Sequence, residues 1–144
     1  MTVRASQPED APAIAAIESI ASPSPWSLDA IEAQLGSALD ASWVAQSSRG
    51  IVGHLLTRVV AGEAEVLTLA VHPDAQRQGH ARRLMQRAAQ RWEQRGVRLA
   101  FLEVRQRNAA ARALYLGMGW TETGVRPRYY SDGQDAVLMQ VTLC

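Results

Sequence analysis

An apolar run, Leu67-Thr68-Leu69-Ala70-Val71, leads into a loop from His72 to Gln78, and the loop into an arginine-rich helix opening at Gly79-His80-Ala81-Arg82-Arg83-Leu84. The start of a helix presents backbone N–H groups with no partner inside the helix, and its dipole favours negative charge ahead of it. Gly79 and Ala81 carry little or no side chain, so anionic oxygens can approach the main chain there. Arginines stand around the turn at Arg77, Arg82 and Arg83, and the chain contains no lysine, so no Walker-type lysine is available. The chemistry that suits this spacing is the holding of a pyrophosphate. A glycine at a helix start also occurs where nothing binds, so the residues downstream must decide.

Downstream, Leu99-Ala100-Phe101-Leu102-Glu103-Val104 reads as a second buried strand with a carboxylate inside it. Parallel strands are covered on both faces, and a lone carboxylate there is costly unless it has a purpose. Two readings are open for Glu103: a general base, or a strand-end glutamate paired with Arg105 or Arg58. Tyr115 lies seven residues past Asn108, two turns into a helix that Asn108 can cap. Its phenol can give a proton to a thiolate, or it is an amphipathic core tyrosine. A base and an acid together serve general acid–base chemistry, of which acyl transfer from a thioester to an amine is one case. There the amine loses a proton, an oxyanion is stabilised and the departing thiolate gains a proton. An α-amine has a pKa of ~8 and a lysine side chain ~10.4, so one carboxylate is better matched to an α-amine.

Taken together, these blocks resemble the GCN5-related N-acetyltransferase (GNAT) family. The family's acetyl-CoA loop, Gln/Arg-x-x-Gly-x-Gly/Ala, is matched by Gln76, Gly79 and Ala81; its strand–Asn–helix–Tyr-x-x-x-Gly-aromatic unit is matched by Asn108, Tyr115, Gly119 and Trp120. A closer resemblance is to the RimI-type branch, bacterial enzymes that acetylate the N-terminal alanine of a ribosomal protein. It rests on Pro25-Trp26-Ser27, Leu102-Glu103-Val104-Arg105, Asn108-Ala109-Ala110-Ala111, Tyr129-Tyr130 and Asp135-Ala136.

The resemblance implies acetyl-CoA as cosubstrate, held by main-chain groups of Leu69, Ala70 and Val71, by Arg77, Gln78, Gly79, His80, Ala81 and Arg82 around the pyrophosphate, and by Asn108. It implies Glu103 as general base and Tyr115 as general acid, with Trp26, Tyr129 and Tyr130 lining a groove for a protein N-terminus, that of a ribosomal protein. Ser24 departs from the pattern, standing where many relatives carry an aromatic or histidine. Asp132 or Asp135 is available for a basic peptide, against their simpler reading as turn residues. Competing functions are acetylation of a small amine or polyamine, and a non-catalytic acetyl-CoA sensor; a sensor requires neither Glu103 nor Tyr115.

The elements that must position these residues follow from periodicity. A short strand at Val3-Arg4-Ala5 precedes a helix over Asp10 to Ile20, with Ala13, Ile14, Ile17 and Ala21 at core spacing and Pro12 in its first turn. Ser27 caps a second helix carrying Leu28, Ile31 and Leu35. Trp43-Val44-Ala45, Ile51 to Val60 and Glu63 to Val71 read as antiparallel strands. A helix from Gly79 to Arg95 presents Ala81, Leu84, Met85, Ala88 and Trp92 on one face, and Gly96 ends it. It crosses over to a parallel strand, Val97 to Val104. After the helix from Asn108 to Gly117, a hairpin runs from Trp120 to Tyr129-Tyr130, turns at Ser131-Asp132-Gly133 and returns over Ala136 to Leu143. The fold class is α/β, a mixed sheet with flanking helices; the resemblance adds that the parallel pair splays apart.

The 144 residues, 47% of them hydrophobic, suit one domain over 1–144, which the resemblance implies is an N-acetyltransferase domain. No apolar run approaches the ~20 residues of a membrane helix, and Met1-Thr2-Val3-Arg4 shows no signal-peptide core. A net charge of +1 argues against general nucleic-acid binding, although Arg77, Arg82, Arg83, Arg87, Arg91, Arg95 and Arg98 crowd one stretch. The arginines nearest the loop favour a phosphorylated ligand; those after Arg87 face solvent. The single cysteine, Cys144, cannot form an internal disulfide and suits a reducing cytoplasm as a plain terminal residue. His54, His72 and His80 have no metal-ligand spacing, so no metal is expected. His80 is read as lending its backbone N–H to phosphate, and His54 and His72 as strand and turn residues. A monomer or weak dimer is expected.

Overall fold

The computed structural model describes residues 2–37 and 40–143, with Asp40 described by its backbone alone; Cys144, read above as a terminal residue, lies outside them. In chain order the elements are β1 (Thr2–Ala5), α1 (Ala11–Ala21), α2 (Leu28–Leu35), β2 (Asp40–Ser47), β3 (Gly50–Val60), β4 (Glu63–Val71), α3 (His80–Gln94), β5 (Leu99–Arg105), α4 (Ala109–Gly117), β6 (Thr121–Arg126) and β7 (Ala136–Thr142). They build one mixed sheet in the order β1-β2-β3-β4-β5-β7-β6. Among the described residues, only β4 and β5 pair in parallel, as the helical crossover between them requires.

Alternation along the strands sorts side chains onto two faces. Trp43, Ala45 and Leu55 pack under α3 with Leu84, Met85, Ala88 and Trp92. Their neighbours Val44 and Leu56 point the other way, to Ile14 of α1 and Ile31 of α2. Ser27 caps α2 by accepting the Ala30 N–H at 3.1 Å, and Gly96, at φ +71, follows the end of α3. On α1 the buried positions are Ala11, Ile14, Ile17 and Glu18; Ala13 and Ala21, expected in the core, are only half-buried.

Two features shape the site. The parallel pairing runs only from Glu63↔Leu99 to Val66↔Leu102, although β4 continues to Val71 and β5 to Arg105. The strands separate where β4 bulges: Thr57 pairs with Val66 and Leu56 with Thr68, which leaves Leu67 as the extra residue. A bulge bends its strand and sharpens the local twist, and here it turns β4 away from β5. In the tail, β7 rather than β6 lies beside β5. β6 also stops at Arg126, short of the expected Tyr129-Tyr130. Pro127 has no N–H for the ladder, and Arg128 turns to φ +51, so the two tyrosines sit in a loop.

Candidate active site

The gap between the separated ends of β4 and β5 is a cavity of about 350 Å³. Leu69, Ala70 and Val71 line it from β4, Glu103 from β5, and Asn108 and Tyr115 from the start and body of α4. Trp26 and Tyr130 close it from the loop before α2 and the loop before β7. Residues far apart in the chain, expected to share one site, thus line one space.

The Arg77–Arg82 segment lies beside this cavity and does not line it. Arg77, at φ +63, and Gly79, at φ +84, both adopt the left-handed conformation, and α3 begins at His80. Among the described residues beyond its chain neighbours, a Cβ built on Gly79 meets no atom within 4 Å, so the space before this helix start is open. Such an opening, with arginines exposed around it and unpaired first-turn N–H groups behind it, fits a pyrophosphate. Gln76, read from sequence only as a motif residue, is the tie between loop and cleft: its side-chain amide donates to the Val71 carbonyl at 3.2 Å. The His80 side chain is buried, its Nδ1 without a partner among the described residues. His72 accepts the Asp74 N–H, as a turn residue does. Asn108 caps α4 by accepting the Ala111 N–H at 3.1 Å, which fixes the helix that carries Tyr115.

Glu103 differs from expectation. It lies in the part of β5 that β4 no longer covers, so its side chain is 23% exposed rather than buried. Its cationic neighbour is Arg126, at 3.3 Å, and neither Arg105 nor Arg58. It also lines a smaller cavity of about 240 Å³ with Glu65, Val66, Leu67, Tyr129 and Tyr130. Glu103 therefore stands between two openings, reachable from both. The Tyr129 hydroxyl hydrogen-bonds to Glu103, and this bond, with the carboxylate charge, raises the phenol above its ordinary pKa. Tyr130 is raised first by burial and then by the same carboxylate.

Tyr115 is 5% exposed, and burial pushes its phenol well above the ordinary value, so it stays protonated. Trp120 packs against it with ring centroids 5.6 Å apart and returns its N–H to the Tyr115 carbonyl at 3.0 Å. That contact accounts physically for the aromatic after Gly119.

Arg105 organises the loops at one side of the cavity. Its guanidinium pairs with Asp132 at 2.5 Å, donates to Ser24 Oγ and lies 4.1 Å from the centre of the Tyr130 ring. One side chain thus ties the loop before α2 to the loop before β7. Ser24 and Asp132 are its partners, and Asp135 accepts the Arg128 N–H, so both aspartates serve the loop as turn residues. Not foreseen from the residues alone is a buried pair, Glu18 and His54, joined to the half-buried Thr68 of the cavity wall. The available signal was Glu18 itself, an acid at the i+4 position from Ile14 on the apolar face of α1.

Comparisons with known proteins bear on the family and the fold. The acetyltransferase (GNAT) domain model matches residues 15–143. The [ribosomal protein bS18]-alanine N-acetyltransferase of Escherichia coli (strain K12) is 36% identical over 145 residues, spanning 99% of this chain and 97% of that protein. The crystal structure of the ribosomal-protein-S18-alanine N-acetyltransferase from Escherichia coli has a TM-score of 0.92 at 35% identity, over 98% of this chain and 92% of that one. Ard1 from Thermoplasma volcanium shares the fold, with a TM-score of 0.90 at 23% identity, over 99% of this chain and 97% of that one.

Proposed function

The chain belongs to the GNAT family of acetyltransferases, and from that premise we propose that it moves the acetyl group of acetyl-CoA to the α-amine of a protein N-terminus, the alanine of a ribosomal protein. The observation that carries the reading is the joint presence of Glu103 and Tyr115 on the wall of one cleft, opened where β4 leaves β5. The relative with that printed activity matches 99% of this chain, which supports the choice of acceptor.

Acetyl-CoA supplies the acetyl group as a thioester. The main chain of Leu69, Ala70 and Val71 forms the free edge of β4 facing the gap, and the Arg77–Arg82 segment and Asn108 hold the rest of the cosubstrate. Glu103, open to both cavities, takes a proton from the amine. The amine nitrogen bonds to the acetyl carbon, the carbon–sulfur bond breaks, and Tyr115 gives its hydroxyl proton to the sulfur. Burial keeps that proton on Tyr115 until the thiolate forms. Trp26, Tyr129 and Tyr130 wall the approach of the acceptor. The pairing of Glu103 with Arg126 and the Tyr129 hydroxyl holds the carboxylate in place when no amine is present.

The test is kinetic. Glu103→Gln should lower kcat by ~10²-fold or more, a usual loss for a general base. Tyr115→Phe should lower kcat while acetyl-CoA binding, measured by calorimetry, stays near the parent value. If both variants turn over like the parent, the two groups are structural and the proposed proton transfers are wrong.

A further inference from the structure

α1 carries a carboxylate where its spacing calls for a core side chain. Glu18 and His54 are both fully buried, with 0% exposure. Glu18 Oε2 accepts from His54 Nε2 at 2.7 Å and from the Thr68 hydroxyl at 2.9 Å. Its Oε1 accepts the Trp26 N–H at 3.1 Å. Burial alone would raise this carboxyl; the hydrogen bond and charge of His54, then the Trp26 amide and the Thr68 hydroxyl, outweigh burial and hold it below the ordinary range. The other ring nitrogen of His54, Nδ1, has no partner among the described residues.

The proton transfers described above make no use of this carboxylate, and what it touches is the wall of the cleft. Trp26 and Thr68 line the same cavity as Glu103 and Tyr115. Trp26 comes from the loop before α2. Thr68 comes from β4, immediately past the bulged Leu67. Glu18 joins these two wall segments, and His54 anchors the junction to β3, where it pairs with Ala70 of β4.

We propose that Glu18 is a positioning residue for the acceptor: by fastening the Trp26 segment to β4 it sets the width of the cleft where the amine enters, and so governs how tightly the acceptor binds. This rests on the N-acetyltransferase reading and is independent of which amine is the natural acceptor. A glutamine shows why the charge matters. The Trp26 N–H can only donate, so the glutamine oxygen must face it, and the amide NH₂ then faces both His54 and Thr68. Thr68 can rotate its hydroxyl and accept. His54 can accept only if Nε2 carries no hydrogen, and the ring hydrogen on Nδ1 then has no acceptor among the described residues and is an unpaired buried donor. Release of the Trp26 segment relieves the conflict and loosens the acceptor wall.

The experiment compares Glu18→Gln, Thr68→Val and the double variant Glu18→Gln/His54→Leu with the parent. The acceptor is whichever the parent turns over among an Ala-starting peptide, an N-terminally blocked lysine peptide and spermidine. Glu18→Gln should raise the acceptor KM about tenfold, equivalent to ~1.4 kcal/mol, with kcat and the acetyl-CoA Kd largely unchanged. Thr68→Val keeps two of the bonds and should raise KM less. The double variant removes the donor in conflict and should recover part of the lost KM, a coupling that independent loss of stability would not produce. An unchanged KM, or a fall in kcat and Tm with no change in KM and no recovery, overturns the proposal. If Glu18→Gln does not fold, Thr68→Val decides alone: a raised acceptor KM supports the role and a parent-like KM refutes it. A parent that prefers the lysine peptide or spermidine overturns the proposed acceptor, while the KM comparison still judges Glu18.

Discussion

Gly79 offers a perturbation whose size can be worked out. It sits at φ +84 and ψ +8 at the start of α3. An L-residue in the left-handed region costs roughly 1–2 kcal/mol, and a β-branched one falls at the upper end. A Cβ there meets no protein atom within 4 Å, so this local strain is the whole penalty inside the protein. Taking ~3–5 °C per kcal/mol for a domain of this size, Gly79→Val should lower Tm by roughly 3–10 °C and remain folded. The same Cβ projects into the open space before the helix start. Acetyl-CoA affinity should therefore fall at least about tenfold, or ~1.4 kcal/mol, by calorimetry. Gly79→Asn separates the two effects, because asparagine tolerates the left-handed region yet still carries a Cβ. If the side chain excludes the phosphates, the asparagine variant binds weakly although its Tm is close to the parent's. Parent-like affinity in a folded Gly79→Val protein would refute the close approach of phosphate to the main chain. Parent-like affinity in Gly79→Asn alone would assign the loss to backbone strain.

Arg105→Met should leave acetyl-CoA binding intact and raise the acceptor KM several-fold, because Ser24, Asp132 and Tyr130 lose their common partner; a normal KM would remove Arg105 from the acceptor wall. His80 gives a pH test. Burial, and then the charge of Arg83, lower its pKa from the ordinary 6.5. The unfolded chain therefore takes up a proton near 6.5 that the folded chain resists, so stability is whole above that pH and declines as the pH falls through the lowered folded value. His80→Leu should abolish this decline, and its Tm advantage over the parent should grow between about pH 7.5 and pH 5. A difference in Tm that does not change with pH would contradict the assignment.

The elements that place the cleft were legible where periodicity and caps act locally. Leu84, Met85, Ala88 and Trp92 repeat at helical spacing and do face the sheet, and Asn108 does cap α4. What stayed hidden depends on pairing between distant segments. Leu67 to Val71 reads as strand whether or not β5 runs beside it, so the parting at Val66 and Leu102 left no local trace. The insertion of β7 between β5 and β6 is equally invisible to alternation, and it is what brings Arg126 to Glu103. For the same reason Arg105, nearest to Glu103 in sequence, turned out to hold Ser24 and Asp132. Glu18 was visible as an acid on an apolar face, but its meaning needed His54, Thr68 and Trp26, which come from three other segments.

The central claim is that Glu103 serves an α-amine. At a fixed base, the difference of roughly 2.4 pKa units between an α-amine and a lysine side chain corresponds to roughly 3 kcal/mol in deprotonation. The direct measurement compares acetylation rates at equal concentration for an Ala-starting peptide, the same peptide with a blocked N-terminus and an internal lysine, and spermidine. The Ala-starting peptide should be acetylated fastest by a wide margin, with the acetyl group on its first nitrogen by mass spectrometry. Faster acetylation of the blocked peptide or of spermidine would contradict the account.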